Sequence, residues 1–166
     1  MDFQFYLKKV LKNQGFRDFK RDNKDAFLCS CFFVIDKKGK DNKQNFDFFI
    51  PNEKKLFSFK LEDKMKKIPV ELFDKKIPDK IELNLNFDFD NIEKLILEEM
   101  EKEKIKNKIE KMLFSLQKIK GRHLLIGTLF ISRFGLIQVQ VDVKNNKIIA
   151  FEKKSLFDII KFSRKK

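Results

Sequence analysis

The chain contains no tryptophan, one histidine, two cysteines, three prolines and five glycines in 166 residues. Loops that cradle phosphate groups need several glycines, because the backbone must approach the phosphate closely. No such motif occurs, so the common nucleotide-binding loops are excluded. A zinc site built on the cysteine pair would need two more soft ligands, and the chain offers only His123. The sequence therefore predicts no enzyme, no metal site and no cofactor.

The few chemically versatile residues have ordinary structural interpretations. Cys29 and Cys31 lie in the most apolar run of the chain, so we expect two buried, reduced thiols. We expect His123, beside the turn at Gly121, to be a surface or strand-end residue. Asp90 precedes a helical pattern and is expected to cap the helix, whereas Asp88 is expected to face solvent on a strand.

Long apolar stretches are also absent. No run approaches the roughly 18 residues that a membrane-spanning helix needs. The first residues lack the basic and apolar regions of a signal peptide. These features predict a cytoplasmic protein that does not contact a membrane.

Phenylalanine and lysine are abundant instead. There are 21 Phe residues, and 42% of the chain is hydrophobic, which is enough for a substantial core in one domain or in two small units. The net charge is +13, from 38 basic and 25 acidic residues. Lysine dominates the basic residues, whereas arginine is the residue expected where phosphates are gripped. This bias favours a compositional origin for the charge.

The basic surplus is nevertheless uneven along the chain, because residues 111–166 hold most of it. A weak surface for polyanions therefore remains open as a hypothesis. The candidate polyanion-binding residues flank the last hairpin and form the tail: Lys144, Lys147, Lys153, Lys154, Arg164, Lys165 and Lys166.

Periodicity in the second half predicts one helix followed by four strands. Apolar residues recur at helical spacing over 91–106, and alternation then predicts strands over 112–117, 124–132, 137–143 and 147–153. Asn145 and Asn146 supply a tight turn before the last strand. A short helix follows Ser155.

The first half has a similar order. A helix is predicted over 3–13 and strands over 16–20, 26–36, 46–50 and 55–61, while 81–87 could add an edge strand. The fold class we expect is α+β, with tandem helix-plus-four-stranded antiparallel sheet units. The units span residues 1–62 and 89–166, joined by a connector over 63–88.

The stretch from 81 to 157 resembles PepSY-like domains, small modules associated with peptidase propeptides. The resemblance is carried by Phe87-Asp88-Phe89-Asp90 before the helix, Ser115-Leu116-Gln117, Leu129-Phe130-Ile131-Ser132, Val139-Gln140-Val141-Asp142 and Lys147-Ile148-Ile149. The tandem arrangement also resembles β-lactamase-inhibitor proteins. These resemblances imply a binding or inhibitory scaffold without a cofactor.

Two functions of different class are consistent with these features. The first is a non-catalytic binding or regulatory module, PepSY-like, whose partner is another protein. The alternative is a basic nucleic-acid-associated protein that uses the face of its C-terminal sheet. Partner identity and oligomeric state leave no sequence motif.

Overall fold

Twelve helices and strands are seen in the computed structural model, which describes residues 1–72 and 76–163, apart from the side chains at 159, 162 and 163. In chain order they are α1 (Phe3–Lys12), α2 (Gln14–Asp22), β1 (Phe27–Asp36), β2 (Lys43–Ile50), β3 (Lys55–Leu61), β4 (Lys66–Val70), α3 (Phe89–Lys102), β5 (Ile109–Ile119), β6 (Arg122–Ile131), β7 (Gly135–Asp142), β8 (Lys147–Ser155) and α4 (Leu156–Ser163).

All eight strands belong to one antiparallel sheet with the order β4-β3-β2-β1-β5-β6-β7-β8. The expectation of tandem helix-plus-four-stranded units is therefore wrong, although the α+β class and the antiparallel pairing are confirmed. β1 pairs directly with β5 from Ser30↔Gln117 to Asp36↔Lys111. This pairing satisfies edge backbone groups that two separate sheets would leave open. The division into residues 1–62, 63–88 and 89–166 stays a prediction.

The segment predicted as a strand over 16–20 is a helix. Asn13 caps α2, because its side chain accepts the Gly15 N–H at 2.8 Å. Phe16 and Phe19 lie three residues apart and are both buried, which is helical rather than strand spacing. The capping asparagine and this spacing override the short alternating pattern.

The edge strand was also placed wrongly. Residues 81–87 form no strand; Ile81, Leu85 and Phe87 are buried from an irregular segment whose Ile81 N–H donates to the Leu28 carbonyl at 2.8 Å. One of the two edge strands is β4, which lies within the region expected to be a linker. Pro69 is compatible with β4 because an edge strand has a row of N–H groups without ladder partners.

Asp88, rather than Asp90, caps α3. Its side chain accepts the N–H groups of Asp90 at 2.7 Å and Asn91 at 3.4 Å. The helix consequently begins at Phe89 and ends at Lys102, earlier at both ends than the predicted 91–106. Lys104 follows in the left-handed region, with a φ of 57°, which turns the chain toward β5.

Phenylalanine rings join the two halves in one core. Phe33 of β1 contacts Phe3 of α1, Phe46 of β2 and Phe89 of α3, with ring centroids 4.8–6.4 Å apart. Phe89 also contacts Phe114 of β5 at 5.7 Å. Because aromatic pairs add to the burial of apolar area, this cluster stabilises the junction of both halves.

A shared core predicts that core truncations in either half destabilise the whole chain. Phe46→Ala and Leu129→Ala, at fully buried positions of β2 and β6, should each lower the free energy of unfolding by about 2–5 kcal/mol. Thermal unfolding followed by calorimetry should show one transition that shifts in both variants. Two transitions, each sensitive to only one variant, would contradict the shared core.

Candidate functional site

The sheet has one face covered by α1, α2 and α3 and a second face turned away from them. Phe33 and Phe46 point toward the helices, as their contacts with Phe3 show. Side chains alternate along a strand, so Phe32 and Asn45 point to the opposite face. We call this second side the open face.

Cross-strand pairing arranges the open face in rows. One row runs Asn45, Phe32, Ser115, Ile126, Gln140 and Ala150 across six strands. A neighbouring row contains Val34, Leu113, Thr128 and Gln138, and the row on the other side contains Ser30, Gln117 and Leu124. None of these thirteen residues is charged, although 38% of the chain is charged. Val34 and Leu124 are buried, and the other eleven reach the surface at least in part. We call this set the uncharged patch.

Charged residues lie around the uncharged patch. One flanking row ends in Lys43 and Glu152; the other ends in Asp47 and, beyond Leu124, in Asp142 and Lys147. The central row continues from Asn45 to Lys60 on β3. Within the patch, the Ser30 hydroxyl donates to Asp47 at 2.6 Å, and Gln117 donates to the Ser115 hydroxyl at 2.9 Å. The side chains are therefore held in place before any partner arrives.

The open face is concave over β6, β7 and β8. A depression of about 600 Å³ is lined there by Ile126, Thr128, Gln138, Gln140, Ala150 and Glu152. A second depression, of about 440 Å³, is mostly charged and is lined by Asp36, Lys38, Glu110, Lys111, Leu113 and Phe130. The amides, the hydroxyl and the aliphatic groups can form hydrogen bonds and apolar contacts with a ligand, and the carboxylates at these depressions lie at their edge or among lysines.

The predicted lysines do not form a single site. Lys144 lies in the β7–β8 turn and Lys147 begins β8, whereas Lys153 and Lys154 lie near its other end, about 20 Å along the strand. Lys153 faces the helix side, because it pairs with Ile137, and donates to Asn107 at 3.3 Å. Arg164, Lys165 and Lys166 lie outside the described residues.

Two of these lysines are neutralised by carboxylates. The Lys144 amine lies 2.6 Å from Glu82, and the Lys154 amine lies 3.5 Å from Glu152. A phosphate would have to compete with these ion pairs, which lowers the benefit of binding. The geometry therefore gives the C-terminal lysines little support as a polyanion site.

Sequence reasoning missed a second basic cluster on α2. A depression of about 440 Å³ is lined by Leu11, Phe16, Arg17, Lys20, Arg21 and Lys24. The Lys20 amine already donates to the carbonyls of Lys24 and Ala26, and Arg21 donates to Asp18 and Asp22. The helical spacing of these residues could have revealed the cluster, but residues 16–20 were predicted to form a strand.

His123 is buried rather than exposed, contrary to the surface interpretation, although it does lie at a strand end. Its Nε2 accepts the Glu82 N–H at 3.4 Å, and its Nδ1 has no partner among the described residues. Burial lowers the pKa of His123; Lys144 and Lys118 act in the same direction, while Glu82 and Asp142 oppose them. The imidazole is therefore held neutral and ties the segment before α3 to β6.

A neutral buried imidazole predicts a loss of stability in mild acid. Because the pKa is lower in the folded chain, the unfolded chain binds more protons below its ordinary pKa of 6.5. The stabilisation is complete above that pH and is lost as the pH falls through 6.5 toward the folded value. Denaturant unfolding between about pH 7.5 and 5 should show this decline.

His123→Gln should remove that part of the pH dependence, because the glutamine amide does not titrate. Carboxylates such as Glu82, whose pKa is lowered by its bond with Lys144, titrate below this window. An identical pH slope in the variant would show that other groups cause the decline.

Both cysteines are buried and free, as expected. Burial raises the pKa of Cys29 to about 12 and that of Cys31 well above its usual range. The Cys29 thiol donates to the Asp47 carbonyl at 3.4 Å. Neither thiol is a reactive nucleophile at neutral pH.

Thiol titration checks this assignment. At about pH 8 an aromatic disulfide reagent should modify the native protein slowly and the denatured protein at once, with two equivalents, because the thiolate is the reacting species. Rapid modification of one equivalent in the native state would show that the strand opens around Cys29.

In the described part of the chain, no three His, Cys, Asp or Glu side chains are grouped so that they could hold a metal ion. No helix in this part is long and apolar enough to cross a membrane.

Comparison with known proteins supports the architecture. No protein-family model matches the chain, and no curated protein matches it at a significant level. The crystal structure of a putative lipoprotein from Clostridium difficile 630 is similar, with a TM-score of 0.59 and 15% sequence identity. The match covers 84% of this chain and 90% of that one. At this identity the likeness shows a shared fold.

Proposed function

We propose that the chain is a non-catalytic binding module that recognises another protein through its open face. The observation that carries the proposal is the uncharged patch. In the core of protein–protein interfaces charged residues are depleted, and a polar rim surrounds them. The open face has this distribution in a chain whose surface is otherwise rich in lysine.

The size of the patch supports the same function. It crosses six strands, which makes it about 24 Å wide, and it extends about 20 Å along them with its rim. A standard interface buries about 800 Å² on each partner. These dimensions correspond to about 480 Å², so a partner of standard size would cover the patch and its rim and extend beyond them.

The side chains of the patch suit a protein surface better than a nucleic acid. Gln138, Gln140 and Thr128 both donate and accept hydrogen bonds, whereas phosphates attract cations and stacked bases need exposed aromatic rings. Ile126 and Leu113 add aliphatic area beside them. The PepSY-like resemblance of residues 81–157 likewise implies a binding scaffold; the inhibitor-like resemblance no longer applies, because it rested on the tandem arrangement.

Charge introduced into the patch tests the proposal against the nucleic-acid alternative. In the double variant Gln138→Arg and Gln140→Arg, two cations replace neutral amides on the open face. A protein partner should then bind at least about tenfold more weakly, because arginines without partners become buried in the interface. A nucleic acid should bind more tightly, because its phosphates gain cations.

The measurement is quantitative capture by the immobilised chain from nuclease-treated and untreated extract of its source organism. Gln14→Arg is the matched control, since Gln14 is an exposed glutamine on α2 in the opposite layer. We expect the unaltered chain to capture a protein from nuclease-treated extract. The Gln14→Arg control should capture the same protein, and the double variant should not. Capture that needs nucleic acid or increases with added arginine would contradict the proposal.

A further inference from the structure

The turn between β6 and β7 holds a large apolar side chain in solvent. Arg133 and Phe134 both have positive φ, 62° and 56°, which is the conformation that Asn and Gly adopt most readily. Phe134 is nevertheless 68% exposed. Burial of the ring does not offset the strain of this backbone conformation, and strained residues of this kind cluster at functional sites.

Phe134 belongs to a larger apolar group. Its ring lies 6.0 Å from that of Phe157 on α4, and its carbonyl accepts the Leu156 N–H at 3.1 Å. Phe157 is 61% exposed and Ile160, one helical turn away, is 50% exposed. We call Phe134, Phe157 and Ile160 the aromatic tip.

Basic residues lie near the aromatic tip. Arg133 adjoins it in the turn, and Lys161 lies on α4. Lys108 lies behind the turn, because its N–H donates to the Ser132 hydroxyl at 3.0 Å. Lys153 and Lys154 lie near the end of the strand that leads into α4, but Lys153 faces the helix side and Lys154 is ion-paired with Glu152.

Acidic residues at this end are few. Glu152 is ion-paired with Lys154, and Asp158 lies in the first turn of α4. The aromatic tip is therefore an apolar group with three basic residues near it, Arg133, Lys108 and Lys161.

We propose, in place of the sequence-based expectation of no membrane contact, that the aromatic tip docks the protein on an anionic lipid surface. Aromatic and aliphatic side chains enter the boundary between headgroups and acyl chains, while lysine and arginine remain at the anionic headgroups. Single-stranded nucleic acid could stack bases on Phe134 and Phe157, but it offers no apolar partner to the aliphatic Ile160. The site is separate from the open face, so its failure leaves the proposed function standing.

The absence of tryptophan from the chain gives a direct probe. Phe134→Trp places a single indole at the tip, and Phe5→Trp places one on α1, where Phe5 is 54% exposed with the Lys9 amine 4.4 Å from its ring. The two sites are thus matched in exposure and in a nearby cation. With vesicles of phosphatidylcholine and phosphatidylglycerol, emission should shift to the blue in Phe134→Trp only.

Sedimentation with the same vesicles measures affinity. Phe134→Asn keeps the turn, because Asn tolerates positive φ, and removes the ring. Its partition coefficient should fall about tenfold, as expected for an aromatic side chain lost from an apolar environment. Phe5→Gln should bind like the unaltered chain, and vesicles of phosphatidylcholine alone should bind much less.

Equal binding of Phe134→Asn and the unaltered chain would overturn the proposal, since it would show diffuse attraction by the net charge. Absence of binding to the anionic vesicles would also overturn it. A third result would also overturn it: the unaltered chain forms a concentration-dependent dimer, Phe134→Asn abolishes the dimer, and neither binds lipid. The tip would then contact a second copy of the chain. Binding of single-stranded RNA that is lost in Phe134→Asn, without binding to anionic vesicles, would likewise overturn the proposal.

Discussion

The antiparallel pairing of β1 with β5 is the interaction on which the rest of the structure depends. It places Phe33 opposite Phe114 and turns two groups of four strands into one sheet. Without it, two long apolar strands would each present unpaired backbone groups at an edge, which is a template for aggregation. The Phe3, Phe46 and Phe89 rings pack around Phe33 only because α1, β2 and α3 converge at this seam.

The seam also determines the candidate binding surface. Phe32 comes from the first half and Ser115 from the second, and they are neighbours in the central row of the uncharged patch. Neither half alone presents the whole patch. The aromatic tip is built from the β6–β7 turn and α4, at one end of the same strands that carry Ile126, Gln138 and Ala150 of the patch.

Local features of the fold were predictable where one signal dominates. Alternation in Ile137, Val139 and Val141 identified β7, and Asn145-Asn146 identified the turn before β8. α2 was missed because Phe16 and Phe19 stand in a short polar segment whose helical period is brief. β4 was missed because lysines and Pro69 are typical of linkers and of edge strands alike.

The pairing of β1 with β5 could not be read from the sequence, because the choice of strand neighbours depends on tertiary packing rather than on local pattern. Because this pairing could not be predicted, the two series of helix and strands were expected to form separate units. The candidate lysines came from regional composition, which does not say on which face or strand end a side chain lies. A signal for the uncharged patch existed in the neutral alternation of Ser115, Gln117, Gln138 and Gln140, but it acquires meaning only when the strands are neighbours.

Native-state hydrogen exchange, measured by NMR residue by residue, tests the seam most directly. If the two halves form one cooperative unit, amides of β1 and β5 should exchange only by global unfolding, with the same free energy as the central amides of β2 and β6. Phe33 and Phe114 are the decisive positions, because each lies in mid-strand at the junction. Exchange of β5–β8 with a distinctly lower free energy than β1–β3 would show that the halves open separately and would contradict the single sheet as the basis of the binding face.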